Sequence, residues 1–352
     1  MDSFDSNKKI DWISKAKGFG ILGIVSVHTA QHFSPGKLAS IAYSGMYCVQ
    51  LFFIISAYLT FLSLGNVNEP WTCKSYFKYL AHKIIRLIPV LYITCLWKLI
   101  ERCIYIGKIP IINDEIWRNV FFAVTFLNGF SYHYINPWLN WYVGVLVIFI
   151  ALAPFLKKIV DTPKKSIFLG VFSVLISFLS NYILQNNGVD TGWYYYFWFP
   201  RQFPVMTIGI VFYFLEKNKG NEKTKFSLYT FLFLIVFGML LSKCGNNFLE
   251  GFIQYGILFL IFTYLLFNKF DVGNVFKRLK TLGDNSYGIY LFHGCLLPYV
   301  SGGVSKIGLS SNFINFAICY VCVLFLALGL ARIVNILVEK PFFGFVKSKF
   351  DL

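Results

Sequence analysis

The sequence predicts an all-α polytopic membrane protein of about ten transmembrane helices, with both termini in the cytoplasm. Composition is the first observation: 57% of the 352 residues are hydrophobic, 20% are aromatic and only 14% carry charge, and the mean hydropathy is positive. Soluble domains do not combine so much apolar content with so little charge. The second is the division of that content into runs near residues 16–34, 43–64, 87–107, 138–156, 166–184, 200–215, 226–242, 250–268, 285–303 and 312–337. Each run is about the length that crosses a bilayer as a helix. The third is the placement of the basic residues. Lys8, Lys9, Lys15 and Lys17 open the chain, and Lys74, Lys78, Lys83 and Arg86 precede the third run. Alternate connections after that are basic, through Lys157 and Lys158, Lys217 and Lys219, and Arg278 and Lys280, to Lys347 and Lys349 in the tail. This inside-positive pattern explains the net charge of +16 by topology and argues against nucleic acid as a partner.

Residues 1–14 read as a cytoplasmic leader. The first apolar run is not a secretory signal, because it follows that charged leader and offers no small-residue cleavage site. The run, Gly18 to Ala30 (GFGILGIVSVHTA), carries His28 deep within it. Ionisable groups inside membrane helices are costly and read as functional by default. Lys17 stands eleven residues earlier, on nearly the same helix face and about 16 Å away along the axis. One face thus offers a cation at the water interface and an acid/base group near mid-membrane. The competing reading of His28 is an interhelical hydrogen bond, worth about 1 kcal/mol. His32, four residues on, would suit a second metal ligand. No Glu intervenes and no third ligand is evident, so no metal is expected.

The second span, Gly45 to Leu59 (GMYCVQLFFIISAYL), has Gln50 and Ser56 as its few polar groups. The stretch Tyr79 to Tyr92 puts His82, Lys83 and Arg86 on the cytoplasmic rim, with Pro89 just inside the third span. Such a cluster ordinarily meets lipid headgroups; the functional reading is a seat for phosphates of a soluble cosubstrate. Charge alone favours the first. Val120 to Phe130 is short and flanked by polar residues, hence re-entrant or interfacial. The outer segments, residues 108–137 and Gln185 to Arg201, are rich in aromatics. Those side chains anchor membrane interfaces, and with scattered amides and acids they also suit sugar rings.

The ninth span opens with Leu282 to His293 (LGDNSYGIYLFH). His293 therefore lies about 15 Å deep, at a depth similar to His28 on a different span. Arg332 and Glu339, seven residues apart at the inner end of the last span, are expected to pair and order this mouth. The eight cysteines are scattered, and Cys319 and Cys322 lie in an apolar helix. Helix packing explains them better than a disulfide framework or a zinc site. No repeat period is visible. The expectation is a single integral-membrane domain over residues 1–352, with no soluble domain before or after it.

In order, these segments resemble the membrane acyltransferase-3 family, bacterial multispan proteins that O-acylate sugars and surface polysaccharides. A basic residue, ten residues and a His in span one are matched by Lys17 and His28. A G-x-x-x-FF-x-x-S-G stretch is matched loosely by Val49 to Ala57, with Ala57 in place of Gly. R-x-x-R-x-x-P is matched by Lys83, Arg86 and Pro89, and W-[FY]-[LV] by Trp141, Tyr142 and Val143. S-Y-x-x-Y-L-x-H is matched by Ser286, Tyr287, Tyr290, Leu291 and His293, and E-[KR]-P by Glu339, Lys340 and Pro341. Lys stands where the family has Arg at Lys17 and Lys83, which keeps the charge without the bidentate fork.

The resemblance implies transfer of an acetyl or other short acyl group from cytoplasmic acyl-CoA to a sugar hydroxyl. The enzyme would sit in a bacterial cytoplasmic membrane, among membrane lipids, and act on a sugar or polysaccharide acceptor such as O-antigen or capsule, free or lipid-linked. Lys17, Lys83 and Arg86 would hold the nucleotide phosphates of acetyl-CoA, His28 would act as base or acyl carrier, and His293 would assist or stabilise the oxyanion. Imidazole can do this work near neutral pH. The alternative is a transporter or flippase with the two His as a proton relay; no inverted repeat and no clustered carboxylates favour it.

Overall fold

In lipid the backbone must satisfy its own hydrogen bonds, and each predicted span that falls among the described residues is helical. The computed structural model describes residues 6–65, 71–110, 115–129, 141–187, 199–217 and 277–350. The predicted spans at 226–242 and 250–268, His133 and most of the aromatic stretch at 185–201 lie outside them. No strand occurs among the described residues. The α-helices are α1 (Ser6–His32), α2 (Ala39–Ser44), α3 (Cys48–Leu64), α4 (Cys73–Ile85), α5 (Ile88–Ile106), α6 (Glu115–Val124) and α7 (Trp141–Ile159). They continue with α8 (Pro163–Asn186), α9 (Phe199–Lys217), α10 (Lys277–Asp284), α11 (Ser286–Ile307), α12 (Asn312–Val334) and α13 (Lys340–Phe350).

Local chemistry sets the ends. Pro89 sits in the first turn of α5, where its missing N–H costs nothing, and Gly107 closes that helix at φ 67°. Ser311 caps α12 by accepting from the Ile314 amide. Between α12 and α13 the helix widens to a π turn over Asn335–Glu339. Pro341 accounts for it, since it has no N–H to give and its ring crowds the carbonyl four residues back. The short stretch expected to be re-entrant is the end of α6, a turn at Phe126 with φ 60°, and a 3-10 turn over Leu127–Gly129.

Among the described residues, four stretches are long and apolar enough to cross a membrane: Gly36–Leu64, Trp141–Ile159, Pro163–Leu184 and Asn312–Lys349. Helices α1, α5, α9 and α11 occupy predicted spans but are more polar. Buried or half-buried charged and imidazole side chains lie on them, among them Lys17, Lys98, Arg201 and His293. Phe168 and Leu175 on α8 and Phe325 on α12 are exposed, a surface that lipid or further apolar protein can cover and water cannot do so cheaply.

The helices gather into two compact units. The first comprises Met1–Leu51, Arg86–Val120 and Leu260–Leu352. In it α1 packs against α2, α10, α11 and α12, and α11 packs against α5 and α12. Small residues permit the approach: Gly18 lies on the Leu279 carbonyl, Gly283 on the Ser14 carbonyl and Gly288 on Ala331. Three tyrosines tie helices to backbone, Tyr43 donating to the Ala30 carbonyl at 3.1 Å, Tyr320 to the Leu22 carbonyl at 3.3 Å and Tyr287 to the Leu87 carbonyl at 2.7 Å. Leu87 precedes α5 and Tyr287 opens α11, so this bond aligns the starts of two helices. Tyr287→Phe is expected to cost about 0.5–1.5 kcal/mol, read as a lowered midpoint of thermal unfolding in detergent with the acyl-transfer rate little changed.

The second unit comprises Phe52–Ile85 and Phe121–Phe259. Helix α7 is its core, with Val145, Phe149 and Ala153 fully buried. Tyr76 and Tyr79 on α4 donate to the Ala151 and Ile150 carbonyls of α7. The Lys157 ammonium donates to the Tyr213 hydroxyl at 3.1 Å and lies 4.2 Å from that ring's centre and 4.9 Å from that of Phe214. The turn into α8 is closed by Lys165, which donates to Asp161 at 2.7 Å and holds that carboxyl below its usual range. Both partners are exposed, so the pair adds little stability.

Candidate functional site

Helix α1 is continuous from Ser6 to His32, so Lys17 and His28 do share one helix at the predicted separation. At the Lys17 level, Gly18 and Gly283 let the backbones of α1 and α10 touch. Ser14 donates to Asp284 Oδ1 at 2.5 Å across this contact. Lys17 lies within Coulombic range of two opposed charges, the Arg86 guanidinium and the Asp284 carboxylate. A second cation and an anion thus act on Lys17.

At the other end of the same face, His28 meets His293. The ring centres are 5.2 Å apart and the planes tilt by 41°. His293 is fully buried. Its Nδ1 stands 3.2 Å from the Ile289 carbonyl, one helical turn back on α11. A carbonyl only accepts, so Nδ1 carries the proton and Nε2 is left as a lone-pair acceptor. That Nε2 is buried and has no hydrogen-bond partner among the described residues. An unpaired buried acceptor costs about 1–3 kcal/mol and asks for an explanation; a donor brought by substrate is one. His28 Nδ1 lies 3.2 Å from Gln31 Oε1. The Tyr290 ring is 5.9 Å from that of His293.

Lys83 belongs to the second unit, where its ammonium donates to Ser63 Oγ at 3.1 Å and stands 5.8 Å from the centre of the Tyr79 ring. The expected Arg332–Glu339 ion pair does not form. Arg332 is exposed, and Glu339 accepts from Asn335 Nδ2 at 2.8 Å. The π turn explains the difference: seven residues return to one face of an α-helix, and widening the last turn carries Glu339 off the Arg332 face. Among the described residues no group of three or more His, Cys, Asp or Glu is placed to hold a metal, and His32 is exposed. Two further motif elements meet inside the second unit, where the Ser56 and Tyr142 hydroxyls are 3.1 Å apart.

Sequence reasoning passed over Ser14, Asp284 and Gln31. The three-residue spacing of His28 and Gln31 was readable on a helix. The Ser14–Asp284 bond joins residues 270 positions apart and left no such signal.

The class of protein is now defined: a helical membrane protein in which two imidazoles from different helices meet and Lys17 lies near the charges of Arg86 and Asp284. The chain belongs to the acyltransferase-3 family, whose model, described as an acyltransferase domain, matches residues 10–332. It is a membrane acyltransferase, and as such takes an acyl donor and an acceptor. The match contains Lys17, His28, Arg86 and His293. No curated protein and no solved structure gives a significant match.

Proposed function

We propose that the protein is an O-acyltransferase of a bacterial cytoplasmic membrane. It moves an acetyl or other short acyl group from cytoplasmic acyl-CoA to a hydroxyl of a cell-surface sugar or polysaccharide. The observation that carries this reading is the imidazole pair, 5.2 Å apart with a buried Nε2 that has no partner among the described residues, at the end of a helix face that begins with Lys17. The separation of about 16 Å suits a donor whose phosphates stay at the charged mouth while its thioester reaches the rings.

Lys17 and Arg86 supply positive charge for the donor phosphates. Lys83 stays in this role on its family position. His28 takes the proton from the acceptor hydroxyl as the hydroxyl oxygen bonds to the thioester carbonyl carbon. When the C–S bond breaks, the proton returns from His28 to the leaving sulfur, giving ester and free thiol. Neutral His293 has given its Nδ1–H to Ile289 and has no proton for an oxyanion. Of its two expected roles, assisting His28 is the one that fits. The family match gives the transporter reading no support.

The test compares surface polysaccharide from cells with and without the gene by proton NMR. An O-acetyl methyl signal that mild alkali removes, present only with the gene, is the expected result. An unchanged acyl content with altered polysaccharide amount or export would overturn the reading.

A further inference from the structure

We propose that Gln31 is the positioning residue of this site, holding His28 as the Nδ1–H tautomer so that Nε2 is the nitrogen that takes the acceptor's proton. The inference rests on the acyl-transfer reading for its chemistry and on the geometry alone for the tautomer.

Gln31 follows His28 by three residues on α1, which places both on one helix face. Its Oε1 is 3.2 Å from His28 Nδ1. An amide oxygen only accepts, so the bond exists only when Nδ1 carries the proton. A neutral imidazole without such a partner divides between two tautomers, and the one that reacts is chosen by the bond its other nitrogen makes. The second ring is set the same way by a different device, since His293 Nδ1 faces the Ile289 carbonyl. One side chain and one backbone carbonyl thus give both rings the same tautomer, with both Nε2 atoms unprotonated at rest. The groups facing His28 are His293 from α11 and, on its own helix, Gln31 and His32.

The consequence for the reaction is specific. His28 Nε2 accepts the hydroxyl proton while the oxygen–carbonyl bond forms, and Nδ1–H stays on Gln31. The proton leaves Nε2 for the thiolate when the C–S bond breaks. Nδ1 donates to Gln31 in the neutral and the protonated ring alike, so the amide keeps the ring's orientation through the cycle. Without it the wrong tautomer points a hydrogen at the hydroxyl, and that fraction of the enzyme is idle.

Two readouts test this. The first is nitrogen-15 NMR of histidine-labelled full-length protein in lipid bilayers, with the His28 signals identified by their loss in His28→Ala. The wild type is expected to show the Nδ1–H tautomer, Gln31→Leu a mixture with Nε2–H, and Gln31→Glu the Nδ1–H form again. The second is thiol release from acetyl-CoA by membranes that contain the native acceptor. Gln31→Leu is expected to lower kcat by about 10- to 100-fold with KM for acetyl-CoA unchanged, and Gln31→Glu to recover most of it. An Nε2–H tautomer in the wild type, or full kcat in Gln31→Leu, overturns the proposal. If the Gln31 variants do not fold, the wild-type tautomer decides alone. Wild-type thiol release no higher than that of His28→Ala would sink the acyl-transfer reading instead, and the tautomer would still decide the role of Gln31.

Discussion

His28→Ala is expected to reduce acyl transfer by about two to four orders of magnitude, the range for loss of a positioned general base, at equal protein level in the membrane. KM for acetyl-CoA should change little, because the charges proposed to hold its phosphates lie about 16 Å away along α1. The fold should persist as well. His28 is only partly buried and its hydrogen bond is to Gln31 on its own helix, so truncation removes the ring contact with His293 but no hydrogen bond between the described helices. Thiol release from acetyl-CoA and the alkali-labile O-acetyl signal are the two measurements. In the wild type the rate should fall on the acid side, where the protonated ring has no lone pair to accept from the hydroxyl. The residual rate of the variant should lack that limb. Full transfer by His28→Ala would place the base elsewhere.

The second large effect is structural. Gly283→Ala should destabilise the first unit at or above the upper end of the ~1–3 kcal/mol typical of core overpacking. A methyl group at Gly283 would overlap the Ser14 carbonyl oxygen and press on the Gly18 amide. Both obstacles are backbone, so neither can rotate aside as a flexible side chain would. Relief requires α10 to move away from α1, which separates Asp284 from Ser14 and from Lys17. Loss of folded protein in detergent, together with loss of donor binding in whatever folds, is the expected outcome. Gly302→Ala is the matched control: beyond its own turn of helix, no atom of the described residues lies within 4 Å of the added carbon, and alanine favours a helix over glycine. If Gly283→Ala melted no lower than Gly302→Ala, the close contact of α1 and α10 would be wrong.

The sequence carried the helices well, because a helix in lipid is a local object. Its length follows from the bilayer and its backbone bonds close within the segment. Lys17 and His28 could be placed on one face for the same reason, since 3.6-residue periodicity needs no knowledge of other helices. The same periodicity misled at Arg332 and Glu339. Spacing alone took the helix to be regular, and Pro341 widens its last turn.

What lay beyond the sequence was partnership across long separations. His28 and His293 could be ranked as buried at similar depth from their distance to each helix start, yet nothing local could say that their rings would face each other. Their meeting depends on α1 and α11 lying side by side, which depends in turn on Gly18 and Gly283 admitting α10 against α1. The charge of Asp284 beside Lys17 has the same origin. By itself, then, the sequence determined the membrane class and the helices among the described residues, both set by local hydrophobicity and helix geometry. The tertiary structure alone decided which imidazoles pair and which charges gather around Lys17. Those depend on where close backbone contacts let one helix rest against another.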